Sequence, residues 1–227
     1  MLIAALLAQG VAAQIMAAPT DISPEVRILI APVAAAIAEA RAKQDALPPP
    51  KDDAEKLVRM GELEQAARAG LGEIDPTRIP AAERRNAMTA AWQQILAVDL
   101  ANQKALLEMV PPEGWFTASK YGREASHAAF LIVQHGNPDL WRRFVPVLEP
   151  LVAKGEIQGG EFALMYDRLA NSEGRPQRYG SQMICKGGKW VPLPIEDPAG
   201  IDARRAALGM KPFADYVASF GDAPPCA

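Results

Sequence analysis

The chain has few of the residues that usually announce a chemistry. Two histidines, His127 and His135, and two cysteines stand among its 227 residues. With the histidines eight apart and no cysteine cluster, no zinc site is expected. Lysine and arginine do not exceed the acids, and the net charge of −3 leaves no basic surplus to hold a nucleic-acid backbone. No apolar run is long enough to span a bilayer. No G-x-S-x-G elbow, phosphate-binding loop, H-E-x-x-H pair or internal repeat occurs, and no cofactor is implied. Aromatics are scarce at 6%, whereas alanine is abundant at 42 residues. Alanine has the best intrinsic helix propensity, so this balance predicts a mostly helical chain. Hydrophobic residues at 49% and charged ones at 22% exclude wholesale disorder. The length allows one large or two small domains with a core that needs no staples.

The first thirteen residues are set apart from the fold. A short apolar run from Met1 to Ala8 precedes Val11, Ala12 and Ala13, small residues of the kind signal peptidase accepts. Residues 1–13 are therefore expected to be a signal peptide, although no Lys or Arg precedes the run. The expected location is periplasmic or secreted, with no integral membrane segment after processing. The alternative is a cytoplasmic protein whose first helix docks its apolar face on the domain. Cys185 and Cys226 would suit a disulfide in an oxidising compartment, and two separate thiols are the other reading.

Residues 14–80 read as an N-terminal helical arm or subdomain. Ser23, Pro24 and Glu25 form a helix start. That helix should run to about Ala46, kink at Pro32 and stop at Pro48, Pro49 and Pro50. A second helix, from about Asp53 to Ala69, carries a thin apolar stripe of Leu57, Met60, Leu63 and Ala67. Residues 81–220 form the motif-bearing domain. Its long helix, about Ala81 to Met109, places Met88, Trp92, Ile95, Asp99, Asn102, Leu106 and Met109 on one face. Asp99 and Asn102 interrupt that apolar stripe, so either it turns to water there or another helix brings polar partners. Further helices are expected over Thr117–His135, Asp139–Ala153, Glu161–Asn171, Pro198–Leu208 and Phe213–Ser219, with a tail at 221–227. A short hairpin should turn at Gly187 and Gly188. The fold class is thus all-α, a multi-helix orthogonal or bundle-like domain with one short β-hairpin. Gly159-Gly160-Glu161-Phe162 spells a string associated with cyclic-dinucleotide synthases. It opens a helix here without the strands of that setting, and is read as coincidence.

A set of motifs runs in order from Asp99 onward: Asp99 with Asn102, Gly114-Trp115, Ser119, Gly122, Val133-Gln134-His135 and Asp167-Arg168. Gly174, Gln177, Tyr179-Gly180-Ser181-Gln182, Pro194, Asp197-Pro198, Arg204-Arg205 and Gly209 follow. In these the chain resembles an uncharacterised bacterial domain-of-unknown-function family with the pattern D-x-x-N, GWP, VQH, DR, Q-x-YGTQ. Phe116 and Ser181 stand where that pattern has Pro and Thr. The resemblance implies no mechanism and leaves the first eighty residues outside it.

Read for chemistry, Gln134 and His135 close the apolar stretch Ala128–Val133, and Asp167 and Arg168 follow another, Phe162–Tyr166. Polar groups beside such runs must pair. One expectation is an enzyme acting on a small molecule or peptide. His135 would exchange the proton, Asp167 or Asp99 would orient it, and Arg168 would hold an anionic oxygen. Asp99, Asn102, Gln134, Gln177, Tyr179 and Gln182 would bind substrate. The alternatives are a non-catalytic ligand- or peptide-binding module in the cell envelope, and a polar core that only specifies packing. Arg204 and Arg205 read as a solvated helix face.

Overall fold

A computed structural model of the chain describes residues 22–221. The leader expected over 1–13, residues 222–227 of the expected tail and Cys226 lie outside the described residues. Among those described, the elements are ten α-helices and one two-stranded antiparallel sheet, the all-α architecture with a short hairpin. The chain divides into two compact units, Met1–Ala105 and Leu106–Ala227. No helix among the described residues is long and apolar enough to cross a membrane.

In the first unit, Ser23 caps α1 (Pro24–Leu29), its hydroxyl accepting from the Val26 N–H. The chain breaks at Ile30, and α2 (Ala31–Asp45) restarts with Pro32 in its first turn, so the expected kink is a break between two helices. Asp52 caps α3 (Asp53–Gly72) by accepting from the Glu55 N–H. After a 3₁₀ turn at Pro76–Arg78 comes α4 (Ala81–Met109). The core joins Val26, Ile30, Val33 and Ile37 to Ala67, Ile79, Ala87, Ala91, Ile95 and Val98. These last four place most of α4 in the first unit, whereas the sequence pattern had grouped the whole helix with the motif-bearing residues. Trp92 departs from the expected stripe: it is 50% exposed, while Ile95, Asp99, Asn102 and Leu106 are buried. A stripe built on alternating threes and fours drifts around a helix of 3.6 residues per turn, and its wide end faces water.

The second unit contains α5 (Ala118–Tyr121), α6 (Arg123–Gln134), α7 (Pro138–Val152) and α8 (Gly159–Ser172). Strands β1 (Met183–Lys186) and β2 (Lys189–Pro192) follow, then α9 (Ile201–Ala207) and α10 (Phe213–Ala218). Asn137 caps α7 through the Asp139 and Leu140 N–H groups. Pro146 and Pro150 sit inside α7 without splitting it. The core is aromatic despite the composition. Trp115 meets Phe144 edge-on at 5.3 Å, and Phe116 meets Tyr121 at 5.2 Å. The hairpin pairs Ile184 with Val191 and Cys185 with Trp190. Its turn uses Gly187 at φ 59° and Gly188 at φ 73°, the left-handed pair that a two-residue hairpin turn demands. Cys185 is disulfide-bonded.

Candidate functional site

Asp167 lies on the inward face of α8 with Ala163 and Ala170, and is 0% exposed. Its Oδ1 accepts from the N–H of Arg178 at 2.7 Å and of Tyr179 at 3.1 Å. Its Oδ2 accepts from the Ser181 N–H at 2.9 Å. Three amides of one loop thus converge on one carboxylate, an anion-binding concavity made of backbone donors. The loop curls this tightly because Gly180 takes φ +69°, where a Cβ would stand 2.5 Å from the Phe213 ring.

Gln177 closes the base of the hairpin. Its Nε2 donates to the carbonyls of Gln182 at 3.1 Å and Leu193 at 2.8 Å, and its Oε1 accepts from the Gln182 N–H at 2.8 Å. Gln182 takes part through its backbone, and its side chain donates to the Ser181 hydroxyl at 3.2 Å. Tyr179 is buried, with its ring edge-on to Phe162 and Tyr166 at 6.1 and 5.6 Å. Burial pushes its phenol above the ordinary value.

Arg205 completes the lock, and it corrects the expectation of a solvated Arg204–Arg205 face. It is buried and donates from Nη1 to the Tyr179 carbonyl at 2.6 Å and from Nε to the Lys211 carbonyl at 2.7 Å. Its guanidinium lies 4.8 Å from the Tyr216 ring centroid, and burial pulls its pKa down. Arg204 donates to the carbonyls of Arg178 and Asp197 and pairs with the Asp197 carboxylate. Adjacent arginines at the end of a short helix look like surface residues, and no local pattern marks one of them as interior.

The remaining expected site residues occupy other settings. Gln134 and Arg168 meet: Arg168 Nη1 donates to the Gln134 carbonyl at 2.8 Å, and its guanidinium sits 5.7 Å from the Trp141 ring centroid. A cation on the last carbonyls of α6 also suits the helix dipole. His135 is the C-cap of α6. Asp99 and Asn102 belong to the first unit, and there α3 supplies their partners. Arg68 grips Asp99 with two bonds of 3.1 and 2.9 Å, and Asn102 Nδ2 donates to the Met60 carbonyl at 2.9 Å. Of the two outcomes open for the interrupted stripe on α4, the second holds.

A pair that the sequence analysis did not single out stands at the start of α6 and α8. His127 Nδ1 lies 2.6 Å from Glu161 Oε1. Facing a carboxylate, Nδ1 is the donor, which in a neutral ring leaves the lone pair on Nε2. Glu161 is held from behind, since its other oxygen accepts from the Gln158 N–H in a capping box at 3.4 Å. The carboxylate side chain is 10% exposed and the imidazole 49% exposed. Beside them is a notch of about 20 Å³ lined also by Arg123, Ser126 and Glu156, room for one water. Glu156 shapes its wall by accepting from the Ser119 N–H at 2.8 Å, a bond that lowers its pKa. The capping pattern Gln158-x-x-Glu161 is visible in the sequence, but nothing local ties it to a histidine 34 residues earlier. No group of three or more metal-ligating side chains forms among the described residues.

One family model matches residues 51–225, that of a family of unknown function, DUF6624. The match takes in α3 and the 3₁₀ turn after it, part of the first eighty residues that the motif resemblance had left out. No curated protein and no solved structure matches the chain.

Proposed function

The chain belongs to DUF6624, a family of unknown function, and from its geometry we propose that it is an enzyme of the bacterial cell envelope acting on a small polar substrate or peptide, with the His127–Glu161 pair as its proton-transfer centre. The observation that carries this reading is the 2.6 Å contact between a half-exposed imidazole and a nearly buried, doubly held carboxylate beside a notch of one-water size. In a hydrolytic step, water in the notch attacks the substrate while its proton passes to His127 Nε2. Glu161 holds the ring orientation and balances the imidazolium, and the proton then returns to the leaving group. Arg123, on the notch wall, faces the substrate with positive charge. Asp167, Gln177, Tyr179 and Gln182 serve this centre by fixing the unit that carries it, the first two and Gln182 through hydrogen bonds within the loop and Tyr179 through its buried ring. The envelope location rests on the apolar leader sequence and on the disulfide bond at Cys185. Residues 1–13 are removed on export, which intact-mass measurement of protein from the native host reads directly.

The test is turnover against a panel of esters, peptides and phosphoesters, comparing the wild type with His127→Gln. A general base contributes about 10²–10⁴-fold, so the variant should lose at least about 100-fold in kcat with its melting temperature within about 2 °C of wild type. Turnover that survives His127→Gln unchanged removes this pair from the chemistry.

A further inference from the structure

The hairpin of β1 and β2 ends in a cationic tip. Its register sets Lys186 directly opposite Lys189 across the turn at Gly187 and Gly188. Like charges placed directly opposite one another weaken a pair of strands. Both lysines are exposed, and neither forms an ion pair among the described residues. The sequence around them offers no relief. From Glu173 to Glu196 the chain carries Arg175, Arg178, Lys186 and Lys189 with no acid between, although its net charge is −3. Arg175 is paired with Glu173, and Arg178 lies 5.7 Å from the Tyr166 ring centroid. The uncompensated charge is therefore at the tip.

The side chains just behind the tip are apolar and only half covered. Ile184 shares the face of Lys186, pairs with Val191 and is 40% exposed. Trp190 stands on the other face at 37% exposed, its ring 6.2 Å from that of Phe220. A lone hairpin is marginal in water, and this one is held firmly from below. Gln177 clamps its base, the Tyr216 hydroxyl donates to the Ser181 carbonyl at 2.8 Å, and Cys185 is disulfide-bonded. The fold thus presents the two lysines and the two large apolar side chains together on a fixed support.

We propose that this hairpin docks the protein onto an anionic phospholipid surface. Lipid phosphates meet the two ammonium groups and relieve their repulsion across the turn. Trp190 and Ile184 enter the headgroup layer beside them, where amphipathic rings and apolar side chains are favoured, while the lysine stems reach out to the phosphates. An acidic polymer in water would answer the charges but leave Ile184 and Trp190 uncovered. The pairing of exposed apolar side chains with unpaired lysines is what selects a lipid.

The experiment is co-sedimentation of the full chain with vesicles of phosphatidylcholine alone and of phosphatidylcholine with phosphatidylglycerol in equal parts. It is run at about 0.1 M salt, where charges act over about 10 Å, and the reading is the ratio of the two partition coefficients. Each lysine at an anionic surface contributes about a fivefold factor, so the wild type should give a ratio of about 25. The double variant Lys186→Gln, Lys189→Gln should bring it to unity. Both positions are exposed, and an unchanged melting temperature checks the fold. Residues 1–13 have no charged side chain and are common to all the proteins compared. Ile184→Ser should weaken retention on both kinds of vesicle by about threefold or more while leaving the ratio in place. A wild-type ratio of unity, or a ratio that the double variant leaves unchanged, overturns the proposal. So does full release of the wild type by soluble polyglutamate together with no effect of Ile184→Ser, the behaviour of a site for an acidic polymer.

Discussion

Replacing Asp167 by Asn is the most direct probe of what the buried carboxylate does. The two side chains have nearly the same shape, so no cavity opens and the effect is one of hydrogen bonding. The carboxylate accepts at both oxygens: Arg178 and Tyr179 share Oδ1, while Ser181 holds Oδ2 at 2.9 Å. Asparagine keeps one acceptor, and its less damaging orientation turns the amide nitrogen toward Ser181. The Ser181 N–H then faces another donor in a sealed site, costing about 1–3 kcal/mol for the unsatisfied group. The bonds that persist lose charge assistance, a further loss of about 1 kcal/mol. A total near 3 kcal/mol corresponds to about 6–12 °C in melting temperature for a chain of this length. Far-ultraviolet circular dichroism on heating measures the shift. Amide exchange at residues 178, 179 and 181 should quicken together. A shift below about 2 °C, or unchanged protection of those three amides, would refute the argument that the carboxylate anchors the loop.

Alkaline stability carries a second expectation. Burial raises the phenols of Tyr179 and Tyr216 above their ordinary 10.0, so the folded chain holds these protons more tightly than the unfolded one. Their stabilisation is complete below pH 10 and is lost as pH rises through the higher folded values. Denaturation midpoints should therefore fall as the pH rises above about 10. Tyr216→Phe should flatten that fall, although it also removes the 2.8 Å bond to the Ser181 carbonyl. Arg205→Lys should destabilise the second unit by about 2–4 kcal/mol, since lysine cannot serve two carbonyls and two rings with one planar group. Chemical denaturation would show this, and a midpoint equal to wild type would contradict it.

The helices were legible because their signals are local. Ser23, Asp52 and Asn137 cap helices with the side chains that the N-terminal amides require, and Gly187 and Gly188 occupy the turn that only left-handed residues fill easily. The hairpin is correspondingly found where the sequence placed it. Site residues were legible only as residues needing partners. The place of Asp99 and Asn102 on an apolar stripe left two outcomes, a turn to water or partners from another helix, and Arg68 supplies the second for Asp99. It lies 31 residues away on another helix, at a spacing no periodicity encodes. Asp167 shows the same limit in another form. Its partners are backbone amides, which every residue possesses, so no side-chain motif announces them.

His127 and Glu161 mark where this reasoning has to be inverted. A histidine on a helix otherwise apolar on its inner face gives no sign of function, and Glu161 already has a local purpose as the third residue of a capping box. The same bond that satisfies the start of α8 fixes the carboxylate against rotation. Once fixed, it can hold the half-exposed imidazole of the neighbouring helix in a single tautomer. Local stability and the proposed proton transfer therefore share one side chain. A substitution at Glu161 disturbs both at once, whereas one at His127 leaves the capping box in place. That asymmetry makes His127 the position at which catalysis can be tested without testing the fold.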